Sequence, residues 1–210
     1  MNRRDFLWTS AVMAAALNLP GAAMAAEKET INLPEPDRAG GMPLMRALNE
    51  RKSERNYSGE ELDVQTLSDL LWAAWGENRP GGKRTAPSAS NRQEITVYCA
   101  MKKGCYRYEA DRHRLVRITD KDLRAMTGKQ DFTDEAPLNL IFAADLDKQG
   151  SEFYAACNTG FISQNVYLYC ASAGLGTVVR GWFDREPLHE AMGLGENMWI
   201  TLCQTVGKPG

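Results

Sequence analysis

The segment from Ser151 to Ala173 carries Phe153, Tyr154, Ala155, Phe161, Ile162, Val166, Tyr167, Leu168 and Cys170, which cover a helical cylinder nearly all round. A helix of this kind has no solvent face to spare and is buried against more than one partner. Gly174, directly after it, reads as the left-handed cap that stops it, rather than as part of a dinucleotide fingerprint, because Gly174-Leu175-Gly176 follows a helix and leads into a strand. Any fold open to the chain is built around this one long helix.

The remaining pattern is that of an α+β domain. Pro43 to Lys52 reads as a short helix, and Asp63 caps a second from Val64 to Trp75, ended by Gly76. Asn78 to Ser88, with its prolines and glycines, reads as a loop. Glu94–Met101 and Cys105–Glu109 alternate as a hairpin about Lys102-Lys103-Gly104, and Arg114–Ile118 adds a strand. Asp120–Thr127 is expected to be a short helix, and the unbroken apolar run Leu138–Ala144 a central strand. A strand at Thr177–Trp182, a helix at Pro187–Met192 and a strand at Met198–Val206 complete the pattern.

Asn2-Arg3-Arg4-Asp5-Phe6-Leu7 is a twin-arginine export motif, followed by an Ala-rich, weakly apolar stretch and a small-residue cleavage site at Ala23-Met24-Ala25. The competing reading is a general secretory signal with a chance Arg pair. Phe6 to Leu19 is too short, and too interrupted by Thr9, Ser10 and Asn18, for a transmembrane anchor. The sequence therefore divides into a signal peptide at 1–25, a flexible lead at 26–42 and one domain at 43–210. A soluble periplasmic protein is expected, exported folded by the twin-arginine machinery, whose cargo commonly carries a cytoplasmic cofactor. Cleavage leaves about 185 residues, enough for a single core. With 25 basic and 27 acidic residues over the whole chain, nucleic acid is a poor partner.

The cofactor is narrowed by exclusion. Two histidines far apart, His113 and His189, and no C-x-x-C leave iron–sulfur, c-type haem and structural zinc without ligands, so no metal is expected, and each histidine reads as a surface residue. Gly81-Gly82-Lys83-Arg84 fails the phosphate-loop spacing and reads as a basic surface loop. No G-x-S-x-G or S-x-x-K supports a serine hydrolase. Cys99 and Cys105 flank a turn, which admits a disulfide. Folding in a reducing compartment and the odd count of five favour free, buried thiols.

Three separated segments stand out together: Arg51-Lys52-Ser53-Glu54-Arg55-Asn56-Tyr57, Arg84 to Gln93 with Pro87-Ser88-Ala89-Ser90-Asn91, and Gly174 to Phe183. Their order and spacing resemble the nitroreductase family of FMN enzymes. Leu70-Leu71-Trp72-Ala73-Ala74-Trp75-Gly76, Arg84-Thr85-Ala86-Pro87-Ser88 and Gly174-Leu175-Gly176-Thr177-Val178 resemble its SagB-type branch, which includes thiazoline and oxazoline dehydrogenases. The resemblance runs from about Leu48 to Pro209. It implies a mostly antiparallel sheet flanked by helices, and a homodimer built on the long helix with FMN at the interface.

The resemblance also assigns residues. Arg51 and Arg55 supply forked, always-charged donors for the FMN phosphate, with the Ser53 hydroxyl beside them. Pro87, Ser88, Ala89, Ser90 and Asn91 form a small-residue loop that relatives contribute from the other subunit, with Asn91 at the flavin edge. A backbone N–H of Arg180 or Gly181 is aimed at flavin N5, and Val178 and Val179 lie under the ring. The chain departs from the family in lacking the basic residue that larger relatives bring back beyond the final Gly-x-Pro, so phosphate binding rests on Arg51, Arg55 and the Arg180 side chain. The helical lid of larger relatives is cut down to Asp120–Glu135, with Phe132 as an edge residue of a more open pocket.

The implied activity is a two-electron, hydride-type transfer through N5 to or from a small organic or peptidic substrate. The periplasm has no nicotinamide pool, so either a membrane electron-transfer partner reduces the enzyme for nitro or quinone reduction, or a substrate is oxidised with oxygen or quinone as acceptor. The alternative from a different class is a non-catalytic flavin-holding or protein-interaction module. No residue stands out as a dedicated catalytic acid or base.

Overall fold

In a computed structural model of the protein, residues 29–210 are described, so the export motif and the cleavage site lie outside the described residues. Seven strands form one sheet in the order β1 (Thr30–Asn32), β6 (Arg114–Thr119), β5 (Gly104–Glu109), β4 (Ile95–Met101), β7 (Leu138–Asp145), β9 (Met198–Gly207) and β8 (Gly176–Arg180). Every neighbouring pair is antiparallel. Four helices, α1 (Leu44–Glu50), α2 (Val64–Trp75), α3 (Glu152–Ala173) and α4 (Arg185–Met192), flank it, and the α+β architecture is the expected one. None of the described helices is long and apolar enough to cross a membrane.

Strand β7 shows why the apolar run Leu138–Ala144 sits at the centre. Leu138, Leu140, Phe142 and Ala144 join the core beneath α2 and α3, while Ile141 and Ala143 join a second core that includes Leu188 and Met192 of α4. A strand buried on both faces needs apolar residues at successive positions. The same alternation divides β4, sending Val97 and Cys99 to one core and Tyr98 and Ala100 to the other. This register settles the cysteines. Across the hairpin Cys99 opposes Tyr106 and Ala100 opposes Cys105, so the two thiols lie on opposite faces and all five cysteines are free.

The helix boundaries follow local chemistry. The Asp63 side chain accepts from the Thr66 amide to start α2, and Gly174, at φ 69°, ends α3 in the left-handed conformation. Other segments differ from expectation. The lead contains β1, which pairs with β6 at the sheet edge. The loop after Gly76 folds into a two-stranded ribbon, β2 (Glu77–Arg79) with β3 (Lys83–Arg84). Asp120–Thr127 yields only a 3-10 turn at Arg124–Thr127, and β8 stops at Arg180. Helix α4 begins two residues before Pro187, which the first turn of a helix tolerates.

His113 is half-buried rather than a free surface residue. Its Nε2 lies 2.6 Å from Ser68 Oγ and its Nδ1 2.8 Å from the Tyr108 hydroxyl. The Ser68 hydroxyl donates to the Pro34 carbonyl, so Ser68 Oγ accepts from Nε2–H, and Nδ1 accepts from Tyr108. The network ties the lead to α2 through a neutral imidazole. Burial pulls the His113 pKa below its ordinary value, against the smaller opposing pull of Glu35. The unfolded chain then takes up a proton that the folded chain resists, so this stabilisation is complete above the ordinary histidine value of about 6.5 and is lost as pH falls through the lower folded value. Urea midpoints measured at pH 7.5 and at pH 5 should therefore fall on acidification, and by less in His113→Gln.

Candidate functional site

The site grows from the outer edge of β8, the last strand of the sheet. An edge strand leaves alternate residues with N–H and C=O groups facing away from the sheet. The Thr177 carbonyl accepts from the Glu54 amide at 2.9 Å, and the Val179 amide donates to the Tyr167 hydroxyl of α3 at 3.0 Å. The backbone groups of Thr177 and Val179 thus face outward. By the same alternation the amide of Arg180 faces β9, and Gly181 follows directly after the strand.

The segment after α1 is bound to this edge. Arg51 ends α1 in an extended conformation, its amide still bonded to the Ala47 carbonyl. The Glu54 carboxylate accepts from the amides of Arg55 and Asn56, which hold its pKa below the ordinary carboxylate value. The Tyr57 hydroxyl donates to the Glu54 carbonyl, and residues 56–58 bond to Lys208 and Gly210 beyond β9. Gly176 makes the approach possible: a Cβ there would stand 2.6 Å from Glu54 Cγ.

Tyr167 joins the two segments. Its hydroxyl lies 3.1 Å from Ser53 Oγ, and its ring lies under the Arg51 guanidinium, 5.3 Å from the centroid. Neither Arg51 nor Arg55 has a carboxylate partner among the described residues. Two unpaired guanidiniums, a hydroxyl and an outward amide form a donor set for an anion such as a phosphate. Arg51, Ser53 and Val179 are therefore gathered about Tyr167, with Arg55 further along the same segment and Gly181 just after the strand. Tyr167 did not stand out from the sequence as a site residue; its polar tip on an otherwise apolar helix is the available signal.

The Arg180 side chain is not part of that donor set. Val178 and Arg180 point to the face opposite α3, and the guanidinium is buried at 5% exposure. It donates to the Thr127 carbonyl at 2.6 Å, Thr127 Oγ1 at 3.3 Å, Asn139 Oδ1 at 2.6 Å and Thr205 Oγ1 at 2.6 Å. Phe132 lies 5.7 Å from it and 5.9 Å from the Tyr57 ring, and so closes this buried group rather than edging an open pocket. Strand parity is the physical reason that Arg180 turns inward while Arg51 and Arg55 stay at the edge.

The loop carrying Pro87, Ser88, Ala89, Ser90 and Asn91 lies elsewhere in the protomer. Ser90 and Asn91 have positive φ, 52° and 54°, an uncommon backbone for these residues. The Ala89 amide donates to Asn158 Oδ1, and Asn158 Nδ2 donates to the buried Glu94 carboxylate at 2.7 Å. Ser88 Oγ accepts from the Gln93 amide, and Asn91 Oδ1 accepts from Gln93 Nε2. Asn158 and Tyr167 are nine residues apart on α3, so the loop's anchor and the Arg51 site are separated by about 13.5 Å of helix rise. The cleft beside Tyr167 measures only about 200 Å³. A larger cavity of about 480 Å³, lined by Leu62, Leu67, Met101 and Tyr106, contains none of these residues.

The outer side of α3 is unusual. Its inner face buries polar Asn158, Thr159 and Ser163, while Phe153, Tyr154 and Phe161 stand outward at 70%, 49% and 48% exposure. Leu44, Met45 and Leu48 of α1 are also exposed.

The model of the nitroreductase family matches residues 48–208. A protein of Methanocaldococcus jannaschii named as a nitroreductase is 32% identical over 177 residues, covering 77% of this chain and 88% of its own. A crystal structure from Ralstonia eutropha, also named as a nitroreductase, superposes with a TM-score of 0.83 at 47% identity, covering 90% of this chain and 93% of that one. One from Desulfovibrio desulfuricans, named as a nitroreductase in complex with FMN, has the same fold, with a TM-score of 0.62 at 19% identity and coverage of 81% and 88%.

Replacing Tyr167 by Phe leaves the Val179 amide and the Ser53 hydroxyl without their partner. The expected cost is about 1–3 kcal/mol of unfolding free energy, read by urea denaturation. An unchanged midpoint would show that Tyr167 does not join the two segments.

Proposed function

The chain belongs to the nitroreductase family, and on that premise we propose that it is a periplasmic FMN-dependent oxidoreductase that works as a homodimer. The observation that carries the reading is the pair of unpaired guanidiniums, Arg51 and Arg55, on the segment bound to the sheet edge that ends at Val179 and Arg180, just before Gly181. These residues fit a flavin mononucleotide. Its phosphate is close to dianionic, which suits two forked cations and the Ser53 hydroxyl. Its ring nitrogen N5 accepts a hydrogen bond, which suits a backbone amide at the end of β8.

When bound, FMN supplies two-electron redox chemistry. The protein's part is to hold and orient it. Arg51, Ser53 and Arg55 would hold the phosphate end, and Val179 and Gly181 at the end of β8 would hold the ring. Pro87, Ser88, Ala89, Ser90 and Asn91 come from the second copy, whose α3 packs across this one. Phe153 and Phe161 supply the apolar contact, and Gly160, where an added Cβ would meet nothing within 4 Å, permits close approach. The motifs at Leu70–Gly76, Arg84–Ser88 and Gly174–Val178 favour the SagB-type branch, with a small organic or peptidic substrate. The Arg3-Arg4 motif supports export by the twin-arginine route, and lysines at both positions should leave the precursor in the cytoplasm.

The double variant R51A/R55A should fold with a wild-type unfolding midpoint but carry no FMN when purified. Wild-type flavin content in that variant would refute the phosphate assignment. Phe161→Glu should give a monomer in sedimentation that has also lost its flavin, and a flavin-loaded monomer would refute the shared site.

A further inference from the structure

Arg180 presents an electrostatic imbalance that nothing among the described residues resolves. Its guanidinium is 5% exposed, yet its hydrogen-bond acceptors are a carbonyl, an amide oxygen and two hydroxyls, all uncharged. Its Nε is buried and has no acceptor. The ionisable groups that act on it are Cys203 and Tyr57, and both are neutral at pH 7, because burial pushes the Cys203 thiol up to about 12 and the Tyr57 hydroxyl upward as well. A guanidinium does not give up its proton in proteins, so the charge remains. A buried cation without a counter-ion is costly, and acceptor dipoles offset only part of that cost. An aspartate in place of Asn139, whose Oδ1 already accepts from Arg180 at 2.6 Å, would bring a counter-ion to the guanidinium; the chain has the amide, whose Nδ2 donates to the Thr133 carbonyl at 2.6 Å.

The residue that carries this charge directly precedes Gly181. Two-electron reduction of a flavin with uptake of one proton leaves one net negative charge on the isoalloxazine ring, so the reduced cofactor is an anion where the oxidised ring is neutral. We propose that Arg180 is a tuning residue whose uncompensated buried charge favours the reduced, anionic form of the bound flavin and so raises its two-electron reduction potential. This rests on the FMN reading given above. The charge acts through a dry interior: the Phe132 ring covers it, and Thr127, Asn139 and Thr205 are all buried. There its field is screened far less than that of a surface cation. Arg180 in this role touches neither phosphate nor substrate.

The test is the midpoint potential of bound FMN in three variants of the full-length protein. Asn139→Asp keeps the guanidinium and its acceptors and places a carboxylate on it, at the loss of the bond from Asn139 Nδ2 to the Thr133 carbonyl. Arg180→Met removes the charge, and Arg180→Lys keeps the charge while losing the forked bonds. Asn139→Asp and Arg180→Met should each weaken the preference for reduced over oxidised flavin at least tenfold, which is about 30 mV for a two-electron couple. The lysine variant should stay near wild type. In flavin-free protein, Arg180→Met should cost more unfolding free energy in the N139D background than in wild type, because only there does it strip a buried carboxylate of its counter-ion, and this readout involves no flavin. If Arg180→Met does not fold, Asn139→Asp decides alone. FMN bound stoichiometrically at the wild-type potential in Asn139→Asp would overturn the inference and leave Arg180 as a strut for the 124–137 loop. Absence of FMN from the wild-type protein would overturn the cofactor reading and the inference with it.

Discussion

The unsatisfied edge of β8 is the constraint around which the functional end of the molecule is arranged. A final strand must find partners for its outward N–H and C=O groups or expose them for association with another chain. Here Thr177 is satisfied by the Arg51–Ser58 segment and Val179 by a tyrosine from the long helix. Just beyond lies Gly181, which has no side chain to obstruct an approach to the edge. One secondary-structure property, the two-residue period of an edge strand, thereby places two arginines, a hydroxyl and a backbone donor at one locus. It also turns the Arg180 side chain to the opposite face, where its charge is enclosed.

The long helix is the element on which the proposed second copy would pack. Several polar residues face inward, each with a specific partner: Asn158 with Glu94, Thr159 with Thr201, and Tyr167 with Val179. Phe153, Tyr154 and Phe161 face outward. Burying amides and hydroxyls while exposing Phe153 and Phe161 is unfavourable for an isolated domain, and is resolved if a second copy covers the aromatic side. The same covering would bring the Ser88–Asn91 loop, anchored at Asn158 of α3, towards the edge site anchored at Tyr167.

Much of this was legible in the sequence because it follows from short-range rules. Gly174 as a helix cap, Asp63 as a helix start and the double-sided burial of Leu138–Ala144 are local signals, and they stand as read. The membership of Arg51, Ser53 and Arg55 in one locus came from the three-motif resemblance. What was not legible depends on register. Cys99 and Cys105 flank one turn, yet a pairing offset by one residue places them in different cores. Arg180 sits in a basic, functional-looking motif, yet strand parity buries its side chain. The histidine network across Pro34, Ser68 and Tyr108 joins positions far apart in sequence and leaves no local trace.

The central claim is that each flavin site is assembled from Arg51 and Arg55 of one subunit and the Ser88–Asn91 loop of the other. The most direct measurement is the flavin stoichiometry of a heterodimer between an R51A/R55A subunit and an Asn91→Trp subunit, each of which binds no FMN as a homodimer. A shared site concentrates both defects in one of the two sites and leaves the other intact, so the account predicts one FMN per heterodimer. A heterodimer devoid of FMN would contradict it, because each site would then be built within a single subunit and both would be defective.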